Sequence, residues 1–402
     1  MRDISKKTFL GGIVILIILR FATVFLLMNN VPFTDMQMGG FRPHFSGSYW
    51  PDEANYFNLA QSFVKLSPIA NVANFGYPLF LAPIIYFTNA DSPIDITKIV
   101  FVIQAFLFFS LAIVLTALTA FEVFSTMGGS QPEAGQPLAG AKSSGEKKRS
   151  LALLAAAIFT IYPYLIYGVL KISNFSRAIP IFHYQMWISI AADYLSAVLV
   201  YSGFYLFIKK FNQNNLNLIG AAIIGALVSV AALVRVANIL YLPLIFLILI
   251  WLKKYRASAS FGAAAFLVYL PQWVYNFYFF GLPWMYGYGV PSFGFPAGAK
   301  VDWFSLNNVS IFFSRIWQNL PTFIWILPIL VLILTMGFWK LFRQNKILSL
   351  ILIFWALLDI GFYIFFIAAQ SQLRYFIPSI PPLIILLISG FSFNNIKYGK
   401  TS

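Results

Sequence analysis

Cysteine is absent from the 402-residue chain, which excludes disulfides and thiolate metal sites and leaves the compartment open. Charge is scarce too: Asp, Glu, Lys and Arg make up 10% of the residues, against about 25% in a soluble domain, so the chain cannot present an ordinary solvated surface. Acids are scarcer still, at 12 against 27 Lys and Arg. His44 beside Asp52 and Glu53 offers one histidine and two acids without helical ligand spacing, so no metal site is expected. What fills the chain is apolar: 60% of residues are hydrophobic and the mean hydropathy is +0.80, in repeated runs of about 20 residues. The composition is that of an all-α polytopic membrane protein.

The net charge of +15 does not point to nucleic acid, because the basic residues stand in short groups at the ends of apolar runs rather than on one segment. That placement follows the positive-inside rule and gives a topology. The first run, Phe9 to Met28, follows Arg2, Lys6 and Lys7; it is too long for a signal h-region and lacks a small-residue cleavage site, so it reads as the first span. An outer loop over 29–93 follows, in which the short apolar run Phe75 to Phe87 is expected to dip into the outer leaflet as a juxtamembrane helix. Span two is expected over Ile94 to Phe124, and a flexible cytoplasmic loop over 125–150, rich in Gly, Ser, Pro and Ala and ending Lys147-Lys148-Arg149.

The remaining spans are expected near Leu151–Leu170, Gln185–Ile208, Leu216–Val234, the stretch before Lys253, Ser260–Phe280, Thr322–Trp339, Ile347–Ala369 and Phe376–Phe391. An outer segment over 281–321 carries Gly, Pro and aromatic residues. The result is one membrane domain over 1–402, with about ten spans, both termini inside and most basic residues cytoplasmic.

Against this background the stretch Trp50-Pro51-Asp52-Glu53, continuing to Phe63, stands out. Read as a helix from Pro51, it puts Tyr56, Leu59, Ala60 and Phe63 on one face and Asn55, Asn58, Ser62 and Lys65 on another, an amphipathic helix for an interface. Proline suits the first helical position, and the helix dipole favours ionised carboxylates at Asp52 and Glu53. Either the pair only caps the helix, or an ionised carboxylate on the outer side serves as a general base.

A second set of charges does not belong to topology: Arg42, Lys65, Lys171, Arg177, Arg235, Lys300, Arg315 and Arg374 fall on the outer side. Such cations meet lipid head groups, or they grip a phosphate, which arginine does bidentately. Arg235 and Arg374 are the best placed, each a lone cation between closely spaced apolar runs. Asp193 and Asp359 lie within apolar runs, where an acid is either functional or paired across spans, and Asp193 falls in the outer half of its span.

Together these residues resemble the polyprenyl-phosphate-sugar-dependent membrane glycosyltransferases of the C-type fold, the group that includes protein O-mannosyltransferases and lipid A aminoarabinose transferases. Trp50-Pro51-Asp52-Glu53 with Tyr56 and Ala60 looks like the family's Asp-Glu motif in the first outer loop, and Gly76-Tyr77-Pro78 like the juxtamembrane helix after it. Leu233-Val234-Arg235 is similar to a Leu-x-Arg at a span end. Pro271-Gln272-Trp273-Val274-Tyr275-Asn276 with Phe280-Gly281 is similar to a Pro-Trp-x-Arg-Asn segment and its turn, and Arg374-Tyr375 with Pro378 to an Arg-Tyr-x-x-Pro opening. The chain departs from the pattern at Tyr275, where arginine is usual, at Asp193, where glutamate is common, and at Phe75-Gly76-Tyr77-Pro78, where a basic residue precedes two prolines.

The resemblance implies C-type architecture, Asp52 as the catalytic carboxylate with Glu53 as its neighbour, and a donor phosphate held by Arg235, Arg374, Lys171 and Arg177. It implies a substrate cavity that includes Asp193, Tyr56, Tyr77, Asn276 and Tyr375. The expected donor is a polyprenyl-phosphate sugar and the acceptor a hydroxyl on a lipid, glycan or protein. No cofactor is required, although a divalent cation is compatible with the site. The expected location is a bacterial or archaeal plasma or inner membrane, with the active site on the outer or periplasmic face. Competing classes are a transporter or flippase that uses Asp193, Asp359 and Arg235 along a path, and a noncatalytic assembly partner.

Overall fold

The computed structural model describes residues 4–29, 51–71, 74–127, 139–173, 185–187, 191–285, 306–311, 313–314, 326–365 and 373–391. Of the helical chain that results, 87% is helix and none is strand, the arrangement that satisfies backbone N–H and C=O groups without water. In chain order the helices are α1 (Lys6–Asn29), α2 (Pro51–Val64), α3 (Gly76–Thr88), α4 (Pro93–Val102), α5 (Phe109–Thr126) and α6 (Ala139–Ile172). After them come α7 (Ala192–Asn212), α8 (Leu218–Val234), α9 (Tyr241–Trp251), α10 (Tyr255–Phe280), α11 (Leu327–Gln344), α12 (Lys346–Ile364) and α13 (Ile380–Phe391). A π-turn, Ile103–Phe108, joins α4 to α5, and 3-10 turns precede α9 (Val236–Leu240) and α13 (Leu373–Ser379).

A helix occupies each stretch expected to span, and among the described residues six helical segments are long and apolar enough to cross a membrane: Lys6–Phe25, Pro93–Thr126, Glu146–Ile172, Leu327–Gln344, Lys346–Ile364 and Leu373–Phe391. Helix α10 starts at Tyr255 rather than Ser260 and α11 ends at Gln344 rather than Trp339, and two further boundaries differ more from expectation. Helix α6 begins at Ala139, inside the segment 125–150 expected to be a loop; the Glu146-Lys147-Lys148-Arg149 run favours helix, whereas Gly140, Ser143, Ser144 and Gly145 before it do not. Helix α7 begins at Ala192 rather than near Gln185: Trp187 sits at φ 61, and a left-handed residue there ends the helical run before Asp193.

The basic groups gather at one end of the bundle. There Arg149 Nη1 donates to Ile4 O at 3.5 Å, Lys148 Nζ to Ser125 O at 3.1 Å, Asn212 Nδ2 to Glu122 O at 2.9 Å and Lys254 Nζ to Asn214 Oδ1 at 3.4 Å. These bonds tie the starts of α1 and α10 to the ends of α5 and α7 and to the basic stretch of α6. The opposite end therefore carries the start of α7, the end of α8, and helices α2 and α3.

Apolar burial drives helices together weakly in a hydrocarbon medium, so close packing must do so, and small residues permit it. Helix α8 supplies them: Ala221, Gly225, Ala231 and Ala232 are buried, and a Cβ at Gly225 would strike the Phe261 carbonyl of α10. Gly76, the first residue of α3, has the same role at the far end, where a Cβ would lie 2.5 Å from the Leu233 carbonyl carbon and the Val234 nitrogen. Gly76→Ala is accordingly expected to force α3 away from α8 and cost about 1–3 kcal/mol, as overpacking does. The check is the melting temperature of the purified protein, with Gly11→Ala, whose Cβ has nothing within 4 Å, as the unaffected control.

Candidate functional site

Three charges meet at the end of the bundle opposite the basic groups, and each comes from the end of a helix or helical turn. Asp193 lies in the first turn of α7, Arg235 is the C-cap of α8, and Arg374 lies in the 3-10 turn before α13. An acid at a helix start and a cation at a helix end are each favoured by the dipole. The Arg235 guanidinium pairs with Asp193 Oδ1, and Arg374 Nε stands 3.8 Å from Asp193 Oδ2, with the three side chains 6–12% exposed. One carboxylate is thus shared by two guanidiniums, and the group of three has a net positive charge.

Aromatic rings fix the cations in place. The Arg235 guanidinium carbon lies 4.1 Å from the Tyr375 ring centre and 5.0 Å from that of Tyr363, and these two rings stack at 4.8 Å. Arg374 lies 5.1 Å from the Tyr375 ring centre, and its Nη2 donates to the Tyr375 hydroxyl at 3.4 Å. Behind Arg235 the backbone is held at the Ala231 carbonyl, which accepts both the Arg235 N–H at 2.9 Å and Asn238 Nδ2 at 3.0 Å. Asp359 of α12 is buried on the other side, within electrostatic reach of Arg235 and beside the Tyr241 and Ser379 hydroxyls.

The helix bearing Asp52 and Glu53 packs onto this end. Phe57, Leu59 and Ala60 of α2 are buried, with Phe57 and Ala60 in one apolar cluster with Tyr77, Ala192 and Val234, the last two being sequence neighbours of Asp193 and Arg235. Tyr56 meets Tyr77 edge-on at 4.9 Å. Leu59 joins Phe75, Ala232, Leu233 and Tyr269 in a second cluster, which sets α2 against the end of α8. Of the apolar face expected from the sequence, Leu59 and Ala60 are buried and Tyr56 and Phe63 half-buried, and Phe57, assigned to neither face, is buried with them. Ser62, expected on the polar face, is buried too, and its hydroxyl donates to Leu59 O at 2.7 Å.

The sequence-expected residues divide as follows. Asp193, Arg235, Arg374 and Tyr375 come together, and Tyr56 stands at the edge of the same region. Asp52 and Glu53 occupy the first turn of α2, and their side chains, like the whole of Arg177 and 286–321 apart from 306–311 and 313–314, lie outside the described residues. Lys171 does not join the group: it is exposed at the end of α6, with its ammonium 5.7 Å from the Tyr167 ring centre. Tyr77 and Asn276 are fully buried. The Tyr77 hydroxyl donates to Gln104 Oε1 at 3.2 Å. Asn276 accepts from Gln272 Nε2 at 2.7 Å and donates to the Pro283 carbonyl at 3.0 Å, while Gln272 accepts from the Phe75 N–H at 3.2 Å.

Tyr275, where the resemblance leads one to expect a cation, donates its hydroxyl to Ile69 O at 2.8 Å and so ties α10 to the segment between α2 and α3. Sequence reasoning missed Tyr363, Asn238, Gln104 and Gln272. The available signal was a polar group inside an apolar run, which marks a residue whose partner lies on another helix. Among the described residues no group of three or more His, Cys, Asp or Glu could hold a metal ion. No protein-family model, curated protein or solved structure matches the chain.

Proposed function

We propose that the protein is an integral-membrane glycosyltransferase of about ten spans and C-type architecture, moving a hexosyl or pentosyl group from a polyprenyl phosphate to an acceptor hydroxyl on the non-cytoplasmic side. The observation that carries the reading is the pair of nearly buried guanidiniums, Arg235 and Arg374, sharing the single carboxylate of Asp193 beside the helix that bears Asp52 and Glu53. Two guanidiniums at the depth of helix ends suit the phosphate of a lipid anchored in the bilayer. An apolar cavity of about 230 Å³ between α9 and α10, beginning at Ile239 just past Arg235 and walled by Phe246, Phe266 and Trp273, gives hydrocarbon a place alongside.

In this mechanism Asp52 takes the proton from the acceptor hydroxyl as its oxygen attacks the anomeric carbon. The bond from that carbon to the phosphate oxygen breaks, its electron pair remains on the phosphate, and Arg235 and Arg374 neutralise the charge that develops. One displacement inverts the anomeric centre. Asp193 keeps the two guanidiniums in register, and Glu53 orients the loop or the acceptor. A lipid, a glycan or a protein hydroxyl could equally be the acceptor in this scheme.

The phosphate assignment predicts that Arg374→Met weakens binding of polyprenyl phosphate about 10- to 150-fold in bilayer nanodiscs, the equivalent of about 1.5–3 kcal/mol for a charge-assisted hydrogen bond. Lys171→Met should leave it within threefold. Equal affinities for wild type and Arg374→Met would remove the pocket from the mechanism. A second reading, lipid translocation without chemistry, draws on Asp359, which with Asp193 flanks Arg235 from a facing helix. It predicts movement of the intact lipid-linked sugar across sealed vesicles with no sugar released.

A further inference from the structure

Arg20 of α1 is completely buried, and among the described residues it has no acidic partner. A guanidinium inside a membrane helix is costly unless it holds something in place, so each of its contacts is informative. Its Nε donates to Ala105 O of the π-turn at 3.2 Å, and its planar face lies 3.8 Å from the Phe109 ring centre just beyond that turn. Its Nη1 reaches Met186 Sδ at 3.3 Å and its Nη2 donates to Met186 O. One side chain therefore ties the π-turn to the segment Gln185–Trp187.

Each end of that tie leads to the candidate site. On one side Trp187 Nε1 donates to the Tyr162 hydroxyl at 3.1 Å, that hydroxyl donates to Gln185 O at 3.2 Å, and the Trp187 ring stacks on Tyr194 at 5.3 Å, the residue after Asp193. This side is anchored in the core, and Trp187 keeps its left-handed backbone, a conformation that persists only where the surroundings enforce it. On the other side Gln104, next to Ala105 in the π-turn, accepts from Tyr77, whose ring meets Tyr56, one helical turn after Asp52. π-turns in α-helices often mark sites where a backbone has been re-aimed for function.

We propose that Arg20 is a positioning residue that fixes the first turn of α2 relative to the Asp193–Arg235–Arg374 pocket, acting through the π-turn, Gln104, Tyr77 and Tyr56. The inference rests on the transferase reading for its consequence in catalysis but not for its geometry. The pocket is held by its own ion pairs and rings, so loss of Arg20 moves α2 and leaves the phosphate grip in place.

The test uses the absence of native cysteine. Nitroxides at Asn58→Cys, exposed on α2, and Leu373→Cys, exposed beside Arg374, report the distance between the two parts in nanodiscs. In otherwise native protein one narrow distance distribution is expected. Arg20→Met should shift or broaden it, and Arg20→Lys, which keeps the charge, should restore it in part. With a turned-over donor, Arg20→Met should lower kcat at least tenfold while the dissociation constant for polyprenyl phosphate changes less than threefold, a split that general loss of structure would not produce.

Gln104→Leu removes the bond to Tyr77 while leaving Arg20 in place and should shift the distance in the same direction, so a failure of Arg20→Met to fold leaves that variant to decide. An unchanged distribution in folded Arg20→Met, or in Gln104→Leu where Arg20→Met does not fold, overturns the inference whatever the activity. A shifted distribution in a protein that releases sugar from no donor upholds the positioning role and counts against the transferase reading alone.

Discussion

Asp52→Asn is expected to reduce sugar release from the lipid-linked donor by about 10²–10⁴-fold, the usual contribution of a positioned general base, with donor affinity changed less than threefold. The amide keeps the size of the side chain and the start of α2 but cannot accept the hydroxyl proton. Glu53→Gln should cost less than about tenfold, because the proposed chemistry needs one proton acceptor and one leaving group, and no second carboxylate. Single-turnover release, measured with binding on the same preparations, separates the two variants. Comparable loss in both would mean that the acids act as a pair, and a loss of affinity in Asp52→Asn would make that residue part of the donor site.

Asp193→Leu is expected to be the most damaging single change to stability, at about 3–5 kcal/mol, because it strands two nearly buried guanidiniums without their shared counter-charge. The same physics predicts that a second change partly repairs the first. Asp193→Leu with Arg235→Met replaces a buried ion pair with apolar volume, and such exchanges are often neutral or better. The double variant should therefore recover most of the lost melting temperature while binding polyprenyl phosphate no better than Arg235→Met alone. Thermal unfolding in detergent, followed by the binding assay, checks both halves. A double variant as unstable as Asp193→Leu would show that the carboxylate acts chiefly on Arg374.

The helices were legible because apolar runs and basic end groups are local signals, and a helix stands in every stretch they mark. The start of α7 was not, since nothing in the residue type of Trp187 announces a left-handed backbone; that conformation comes from Tyr162, Tyr194 and Phe109 closing around it. Of the candidate site, Asp193, Arg235, Arg374 and Tyr375 could be picked out because ionisable residues in apolar surroundings are conspicuous. Their convergence could not be read, because it depends on which helix ends lie at the same depth. Lys171 shows the converse: the same chemistry at a neighbouring span end, on a helix that presents it to the exterior. The partners of Tyr77 and Asn276 were not legible, since a buried hydroxyl or amide with a distant partner looks in sequence like one that awaits a ligand.

The central claim, transfer from a lipid-linked sugar with Asp52 as base, is tested most directly by offering the purified protein in bilayers a radiolabelled panel of polyprenyl-phosphate sugars, with and without Asp52→Asn. The account predicts that one donor is turned over by the wild type and that Asp52→Asn abolishes this while still binding the lipid phosphate. Turnover that survives Asp52→Asn, or binding of a donor that no preparation ever cleaves, would contradict it.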